Sequence, residues 1–154
     1  MGRSCPLRRA DVDAVAIFES QITGPLRAVG LFRELEPTAT ATLLSLHDVS
    51  GKLSKDVAAA VVAYLQRGIP VIDVMEATPD PLDPSQSVPG GPSLMSDGRQ
   101  WVWRLDLAYY VARYRIALPA EFVAQILAGT SIFSEQHVLA QSVAVQAAYK
   151  RGRR

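Results

Sequence analysis

The stretch SLMSDGRQWVWRLDLAYYVARYRI, residues 93–116, indicates the element around which the chain folds. Asp97 and Gly98 form a turn signal, because glycine adopts positive φ without steric cost and aspartate tolerates it. The turn separates two apolar segments, of which the second contains Trp101 and Trp103. Short apolar and aromatic segments on both sides of such a turn predict a β-hairpin. We expect the other elements to pack around this hairpin and the helix that follows it.

That helix is predicted from its first residue and from the spacing of its apolar side chains. Asp106 is expected to cap it, because an aspartate side chain accepts hydrogen bonds from the free amides of a first helical turn. The residues that recur at helical spacing on one apolar face are Leu107, Tyr110, Val111 and Tyr114. Tyr109 and Arg113 lie one turn apart on the opposite face, so we expect them to be exposed.

The segment before the hairpin predicts a helix followed by a strand. Ser54 is a good helix cap, and Gly68 is expected to end the same helix in the left-handed conformation. Residues 69–76, IPVIDVME, are short, apolar and β-branched, which predicts a buried strand. These elements together predict an α+β fold, a single helix-rich domain whose small sheet combines one central strand with the hairpin.

Further helices are predicted from capping residues and from prolines. They are expected to begin near Asp11, Pro25, Pro37, Pro119 and Ser134. His47 lies on the apolar face of the third of these, which favours a partly buried structural histidine over a general base. We expect residues 11–149 to form one globular domain between basic tails at residues 1–10 and 150–154.

Residues 78–92, TPDPLDPSQSVPGGP, contain five prolines and two glycines. Each proline fixes φ and removes a hydrogen-bond donor, so this segment is expected to contain no regular element. Long ordered loops are uncommon in compact domains and are often functional. We expect this proline loop, with Asp80 and Asp83 beside Tyr109 and Arg113, to form a recognition surface. The alternative is a surface loop that closes one edge of the sheet.

The charges of the chain are distributed unevenly. The chain has 16 basic and 15 acidic residues among 154, a formal net charge of +1. Seven of the basic residues lie in the two tails, so the body holds nine basic and fifteen acidic residues, a net charge of −6. This acidic body argues against a nucleic-acid partner, although binding through the basic tails is an alternative.

The expected location is the cytoplasm. Cys5 is the single cysteine, so the chain cannot form an internal disulfide, which suits a reducing compartment. No apolar segment is long enough for a transmembrane helix, and the N-terminus has no apolar signal region, so we expect no membrane association.

The sequence contains no motif of nucleotide binding, zinc binding or nucleophilic catalysis. Acidic residues from Asp73 through Asp80, Asp83 and Asp97 offer an alternative, because carboxylates in a cleft bind hard cations or transfer protons. Their spacing does not match a calcium loop, and aspartate before proline is a common turn former. We therefore expect neither a metal nor a cofactor, with a small hydrolase or metal-dependent enzyme as the alternative function.

Trp101 and Trp103 are two residues apart on the predicted strand, so both side chains point to the same face. If that face is the core, they are its largest packing elements. If it is exposed, they form a stacking surface with Tyr109 and Arg113. Core packing is favoured, and the exposed surface stays open as the alternative.

The segment over residues 96–122, with an S-D-G turn, W-x-W and a Y-Y helix, resembles a pattern in small uncharacterised proteins of high-GC bacteria. In those proteins a helix, a glycine, a strand and an acidic proline-rich loop come first, as residues 64–76 and 78–92 do here. The resemblance implies no known activity and, by analogy, a partner-binding or immunity-type protein. We predict a non-enzymatic cytoplasmic domain that binds another protein. The candidate binding residues are Asp80, Asp83, Asp97, Trp101, Trp103, Tyr109 and Arg113.

Overall fold

The computed structural model describes residues 26–36, 43–97, 100–129, 146–147 and 149–150. In these residues the chain forms a mixed four-stranded sheet, a separate two-stranded hairpin and four helices, which confirms the predicted α+β fold. The elements in chain order are β1 Arg27–Ala28, α1 Leu46–Val49, α2 Lys55–Gln66, β2 Ile69–Ile72, β3 Thr78–Pro79, β4 Ser87–Val88, β5 Leu94–Ser96, β6 Trp101–Arg104, α3 Leu107–Tyr114 and α4 Ala120–Leu127. None of the described helices is long and apolar enough to cross a membrane.

The four-stranded sheet has the order β1-β6-β5-β2. The predicted hairpin is confirmed, since β5 and β6 pair antiparallel with Met95 opposite Trp103. The prediction of β2 as a buried central strand is wrong, because β2 lies at an edge and is only partly buried. Pro70 suits this edge position, since proline cannot donate a hydrogen bond to a further strand.

The other edge of the sheet corrects the helix predicted after Pro25. In its place Arg27 and Ala28 form β1, which pairs parallel with β6, so that Arg27 lies opposite Trp101. The amide of Val29 continues this pairing with a hydrogen bond to the carbonyl of Val102. A two-residue strand has too few positions to produce a period, so local sequence did not predict it.

The main core lies on the face of β6 that carries the two tryptophans. Trp101 and Trp103 are 0% and 1% exposed, and the ring of Phe122 meets the ring of Trp101 edge to face at 5.0 Å. The apolar periodic faces and the apolar strand predict nine core residues that are mostly buried, and all nine are buried or half-buried, which confirms that prediction. They are Val57, Val61, Leu65, Ile72, Val74, Leu107, Val111, Phe122 and Ile126.

The cap of α2 is confirmed and its predicted end is wrong. Oγ of Ser54 accepts a hydrogen bond from the amide of Val57 at 3.3 Å. Gly68 does not have positive φ. A Cβ atom at Gly68 would lie 2.5 Å from Cζ2 of Trp103, so glycine is required here by close packing rather than by a left-handed backbone.

Two predictions about polar side chains near helices are also wrong. Asp106 precedes α3, but its side chain makes no capping hydrogen bond and pairs with Arg104 instead. His47 is exposed, and the described part of the third predicted helix contains only the single turn of α1, which begins after Ser45.

The proline loop is more regular than predicted. Thr78 pairs with Val88 and Pro79 with Ser87, so β3 and β4 form a short hairpin inside the loop. Pro79 has no amide hydrogen, so it contributes no donor to this pairing with Ser87.

Several predictions fall on residues outside the described part of the chain. These are the helix from Asp11, the start of the helix from Ser134 and the two basic tails, except for Lys150. Positions 146, 147, 149 and 150 are helical, as expected for the end of the last predicted helix. The bounds of the domain and its tails therefore stay a prediction.

Candidate functional site

The proline loop is fastened to helix α3 through a buried carboxylate. Asp80 is 0% exposed and accepts hydrogen bonds from the hydroxyls of Tyr109, at 2.8 Å, and Tyr114, at 2.6 Å. Its other oxygen accepts from the amide of Leu82 at 2.8 Å, which forms the tight turn at Asp-Pro-Leu. Asp80 therefore fixes the shape of the loop and its position on α3 at the same time.

A second contact joins the loop to α3 at the surface. Nη2 of Arg113 lies 2.5 Å from Oδ2 of Asp83, and the two side chains are 41% and 30% exposed. The guanidinium also lies 5.9 Å and 5.6 Å from the ring centres of Tyr109 and Tyr114. We call Asp80, Asp83, Tyr109, Arg113 and Tyr114 the loop latch.

The electrostatics of the loop latch favour ionised Asp80 and neutral tyrosines. Burial opposes the charge of Asp80, but hydrogen bonds from Tyr114, Leu82 and Tyr109 outweigh it and hold its pKa below the ordinary value. Burial and the hydrogen bond to Asp80 raise the pKa of Tyr109 to about 12. Asp80 therefore acts as a permanent acceptor at neutral pH and is poorly suited to proton transfer.

A groove runs between α2 and α3 beside the loop latch. It consists of two depressions of about 570 Å³ and 400 Å³ that share Val62, Gln66 and Ala112 in their linings. We call it the α2–α3 groove. The smaller depression is its apolar end, lined further by Leu65, Val88, Met95, Leu105, Ala108 and Tyr109. The larger depression is its basic end, where alanines of both helices are flanked by Lys55, Arg113 and Arg115.

The basic end is held in place by an unusual backbone conformation. Arg115 has φ of +48°, the only positive φ of a non-glycine residue in the described part of the chain. Its carbonyl accepts hydrogen bonds from the amides of Lys52 and Leu53, both at 3.0 Å, and the carbonyl of Tyr114 accepts from Gly51 at 2.8 Å. The turn before α2 is therefore bonded to the end of α3.

Four of the seven candidate binding residues come together, and three lie elsewhere. Asp80, Asp83, Tyr109 and Arg113 form most of the loop latch, although Asp80 is buried rather than presented to solvent. Asp97 is 1% exposed and closes the β5–β6 turn by accepting from the amide of Trp101 at 3.0 Å.

The two tryptophans, Trp101 and Trp103, belong to the core, which is the favoured alternative of the sequence analysis rather than an exposed stacking surface. Nε1 of Trp101 donates a hydrogen bond to the side chain of Gln125 at 2.8 Å. Among the described residues, the aromatic side chains that are not buried are the half-buried Tyr109 and Tyr114 of α3 and Tyr149.

Opposite the main core, β6 carries a buried ionic cluster. Arg104 donates to both oxygens of Asp106, at 3.0 Å and 2.7 Å, and to the carbonyl of Leu35 at 2.7 Å. Glu36 accepts from Arg104 and from the hydroxyl of Tyr149. Burial raises the pKa of Asp106, against the opposing effect of Arg104. The groups satisfy one another, so this cluster connects β6 to the segments on either side of it and offers no open position to a ligand.

The carboxylates of the alternative enzymatic function do not converge. Within the described residues no three side chains of the types that bind metals lie close enough to hold an ion. Asp80 and Asp97 are occupied by hydrogen bonds within the protein, and Asp73 is exposed. The arrangement offers no paired acid and base in a cleft.

The groove itself was not predicted from the sequence. Its walls come from an alanine-rich stretch of α2 and from Ala108 and Ala112 of α3. Ala58, Ala59 and Ala63 were a signal, since small side chains along a helix leave room beside it. Lys55 and Arg115 were missed because their common location depends on how α2 packs against α3.

Fold and site together define a small α+β domain with a groove of ligand-binding size between two helices. Comparison of the chain with models of protein families, with curated proteins and with solved structures finds no match.

Proposed function

We propose that this protein is a non-enzymatic cytoplasmic protein-binding domain that holds a segment of another protein in the α2–α3 groove. The proposal is carried by one observation, the groove between α2 and α3 with its apolar end, beside a loop that the loop latch holds. Grooves between packed helices are a recurrent way to bind a peptide, because they bury apolar side chains of the ligand.

Three features of the groove support a macromolecular ligand. The groove runs along two helices rather than closing into a pocket, so an elongated ligand fits it better than a compact molecule. Leu105 is 38% exposed at the apolar end, which adds accessible apolar surface. The proline loop beside the groove is held by the loop latch, so binding does not have to order it.

A peptide-display experiment tests this proposal. Ala112 lines both depressions and is exposed, so Ala112→Trp fills the groove without entering the core. Ala124 of α4 is also exposed and does not line the groove, which makes Ala124→Trp the matched control. Random peptides are selected on the unaltered protein and then measured on both variants.

We expect peptide binding to be lost in Ala112→Trp and kept in Ala124→Trp. Peptides should bind Ala124→Trp like the unaltered protein and bind Ala112→Trp at least about tenfold more weakly, a difference of about 1.4 kcal/mol. Melting curves of both variants verify that they fold. Equal binding to the two variants, or recovery of no peptide at all, would contradict the proposal.

A further inference from the structure

We infer that the partner segment is an acidic peptide with an apolar anchor, and that Asp83 competes with its carboxylates for Arg113. This inference rests on the proposed function of the α2–α3 groove and names the chemistry of its ligand. The apolar end of the groove receives the anchor, and the basic end receives the carboxylates.

The charge of the groove lining indicates that the ligand is acidic. Three cations, Lys55, Arg113 and Arg115, line the basic end, and no aspartate or glutamate lines either depression. Within the described part of the chain, the side chains of Lys55 and Arg115 make no hydrogen bond or ion pair. The body as a whole has a net charge of −6, so this positive concentration is local. Complementary charge in a partner is therefore negative.

The backbone conformation of Arg115 supports a role for its guanidinium in binding the ligand. A side chain at positive φ is strained, and glycine adopts the same conformation without that strain. An arginine in this position is consistent with a requirement for its guanidinium at the rim of the groove. The hydrogen bonds from Lys52 and Leu53 hold the strained residue, and thereby the base of its side chain, in one place.

The loop latch supports the competition between Asp83 and the carboxylates of the ligand for Arg113. Arg113 lines the basic end, yet its guanidinium is already paired with Asp83 of the proline loop. Both side chains are partly exposed, so the pair is accessible to a competing carboxylate. Asp83 thus occupies from within the protein the position that an acidic residue of a partner takes on binding.

The apolar end distinguishes a peptide from a nucleic acid. Val88, Met95 and Leu105 provide aliphatic contacts, whereas single-stranded nucleic acid requires a basic path with exposed aromatic rings. Tyr109 is the one aromatic residue of the lining, and its hydroxyl is bonded to Asp80. An apolar side chain followed by carboxylates matches both ends of the groove.

The test compares charged and neutral forms of one peptide. A peptide selected on the unaltered protein is synthesised with its Asp and Glu residues intact and with each replaced by Asn or Gln. Both forms are titrated by calorimetry against the unaltered protein and against Arg115→Gly, Lys55→Gln and Asp83→Asn. Arg115→Gly suits the left-handed backbone, so its melting temperature should equal or exceed that of the unaltered protein.

Opposite changes are expected from the two kinds of variant. Arg115→Gly and Lys55→Gln should each weaken the acidic peptide by about two- to fivefold and leave the neutral peptide unchanged, as for partly exposed ion pairs. Asp83→Asn should strengthen the acidic peptide by about two- to fivefold, because it frees Arg113. Raising the salt concentration should reduce all of these differences.

Four outcomes would overturn the inference. If the neutral peptide binds as tightly as the acidic one and is still blocked by Ala112→Trp, the groove binds peptides but not acidic ones. If Asp83→Asn weakens the acidic peptide, Asp83 supports binding and does not compete. If sedimentation shows a dimer that Ala112→Trp abolishes, or if a single-stranded oligonucleotide binds in an Arg115-dependent way, the occupant is a second copy or a nucleic acid. Failure of the proposed function would give a different result, because peptides would then bind Ala112→Trp and Ala124→Trp equally well.

Discussion

The hydroxyl of Tyr114 donates a hydrogen bond to the carboxylate of Asp80 across 2.6 Å, and so joins the last residue of α3 to the start of the proline loop. The same oxygen of Asp80 also accepts from Tyr109, one and a half turns earlier on the helix. These two hydrogen bonds hold the proline loop, which contains five prolines, in one position on the surface of the protein.

Asp80→Asn should destabilise the protein by about 1–3 kcal/mol at pH 7, because it weakens a buried acceptor that two hydroxyls and two amides share. The pKa of Asp80 is lowered in the folded state, so its contribution is present above the unfolded pKa of about 4 and is lost as the pH falls through the folded value. The difference in stability between the variant and the unaltered protein should therefore shrink below about pH 4. Denaturant unfolding from pH 3 to pH 8 measures it. Asp73→Asn, at an exposed aspartate, is the control and should show no such trend.

Gly68→Ala should destabilise the protein by about 1–3 kcal/mol through overpacking against Trp103. The added Cβ would lie 2.5 Å from the indole ring, and it should fit once the ring is reduced in Trp103→Phe. A double-mutant cycle by denaturant unfolding should therefore show a smaller cost of Gly68→Ala in the Phe background. Gly51→Ala serves for comparison, because Gly51 has φ of +73° and open space around it. Its cost should be the same in both backgrounds, and equal costs of Gly68→Ala in the two backgrounds would refute the packing explanation.

Arg104→Met should destabilise the protein by about 3–5 kcal/mol, because it leaves Glu36 and Asp106 buried without their cation. Loss of Arg104 raises the pKa of Asp106 further in the folded protein. A carboxyl group with a raised pKa in the folded state makes the protein less stable as the pH increases, because folding disfavours its ionised form. The deficit of Arg104→Met should therefore be smaller at pH 5 than at pH 8. Chemical denaturation at the two pH values checks this, with Lys52→Met, at an exposed cation, as control. A deficit independent of pH would show that the carboxylates are not the cause.

Tyr110→Phe should leave the stability unchanged or raise it by up to about 1 kcal/mol, because a buried hydroxyl without a partner contributes nothing that offsets its desolvation. Tyr110 is 0% exposed, and its hydroxyl is the one buried side-chain polar atom without a hydrogen bond in the described residues. Tyr64→Phe is the matched comparison, since the hydroxyl of Tyr64 donates to Asp97 at 2.9 Å. That variant should lose about 1–2 kcal/mol in thermal unfolding. A comparable loss in Tyr110→Phe would mean that its hydroxyl has a partner.

Much of the candidate site was predictable, because its parts carry local signals. Tyr109 and Arg113 were recognised by their spacing on α3, and Asp80 and Asp83 by their place in a segment where aspartate and proline alternate. What was not predictable is that Asp80 is buried. Its burial depends on two tyrosine hydroxyls that lie about thirty residues further along the chain, at separations of 29 and 34 residues.

By itself the sequence determined the elements whose causes are local. Ser54 caps α2, the turn at Asp97 joins β5 to β6, and the apolar face of α3 follows from its helical period, since each depends on residues a few positions apart. Only the tertiary structure decided that β1 pairs with β6, that Gly68 makes room for Trp103, and that α2 and α3 leave a groove with a basic end. The physical reason is that these contacts join residues distant in the chain. They depend on how whole elements pack, and they produce no periodic pattern in the sequence.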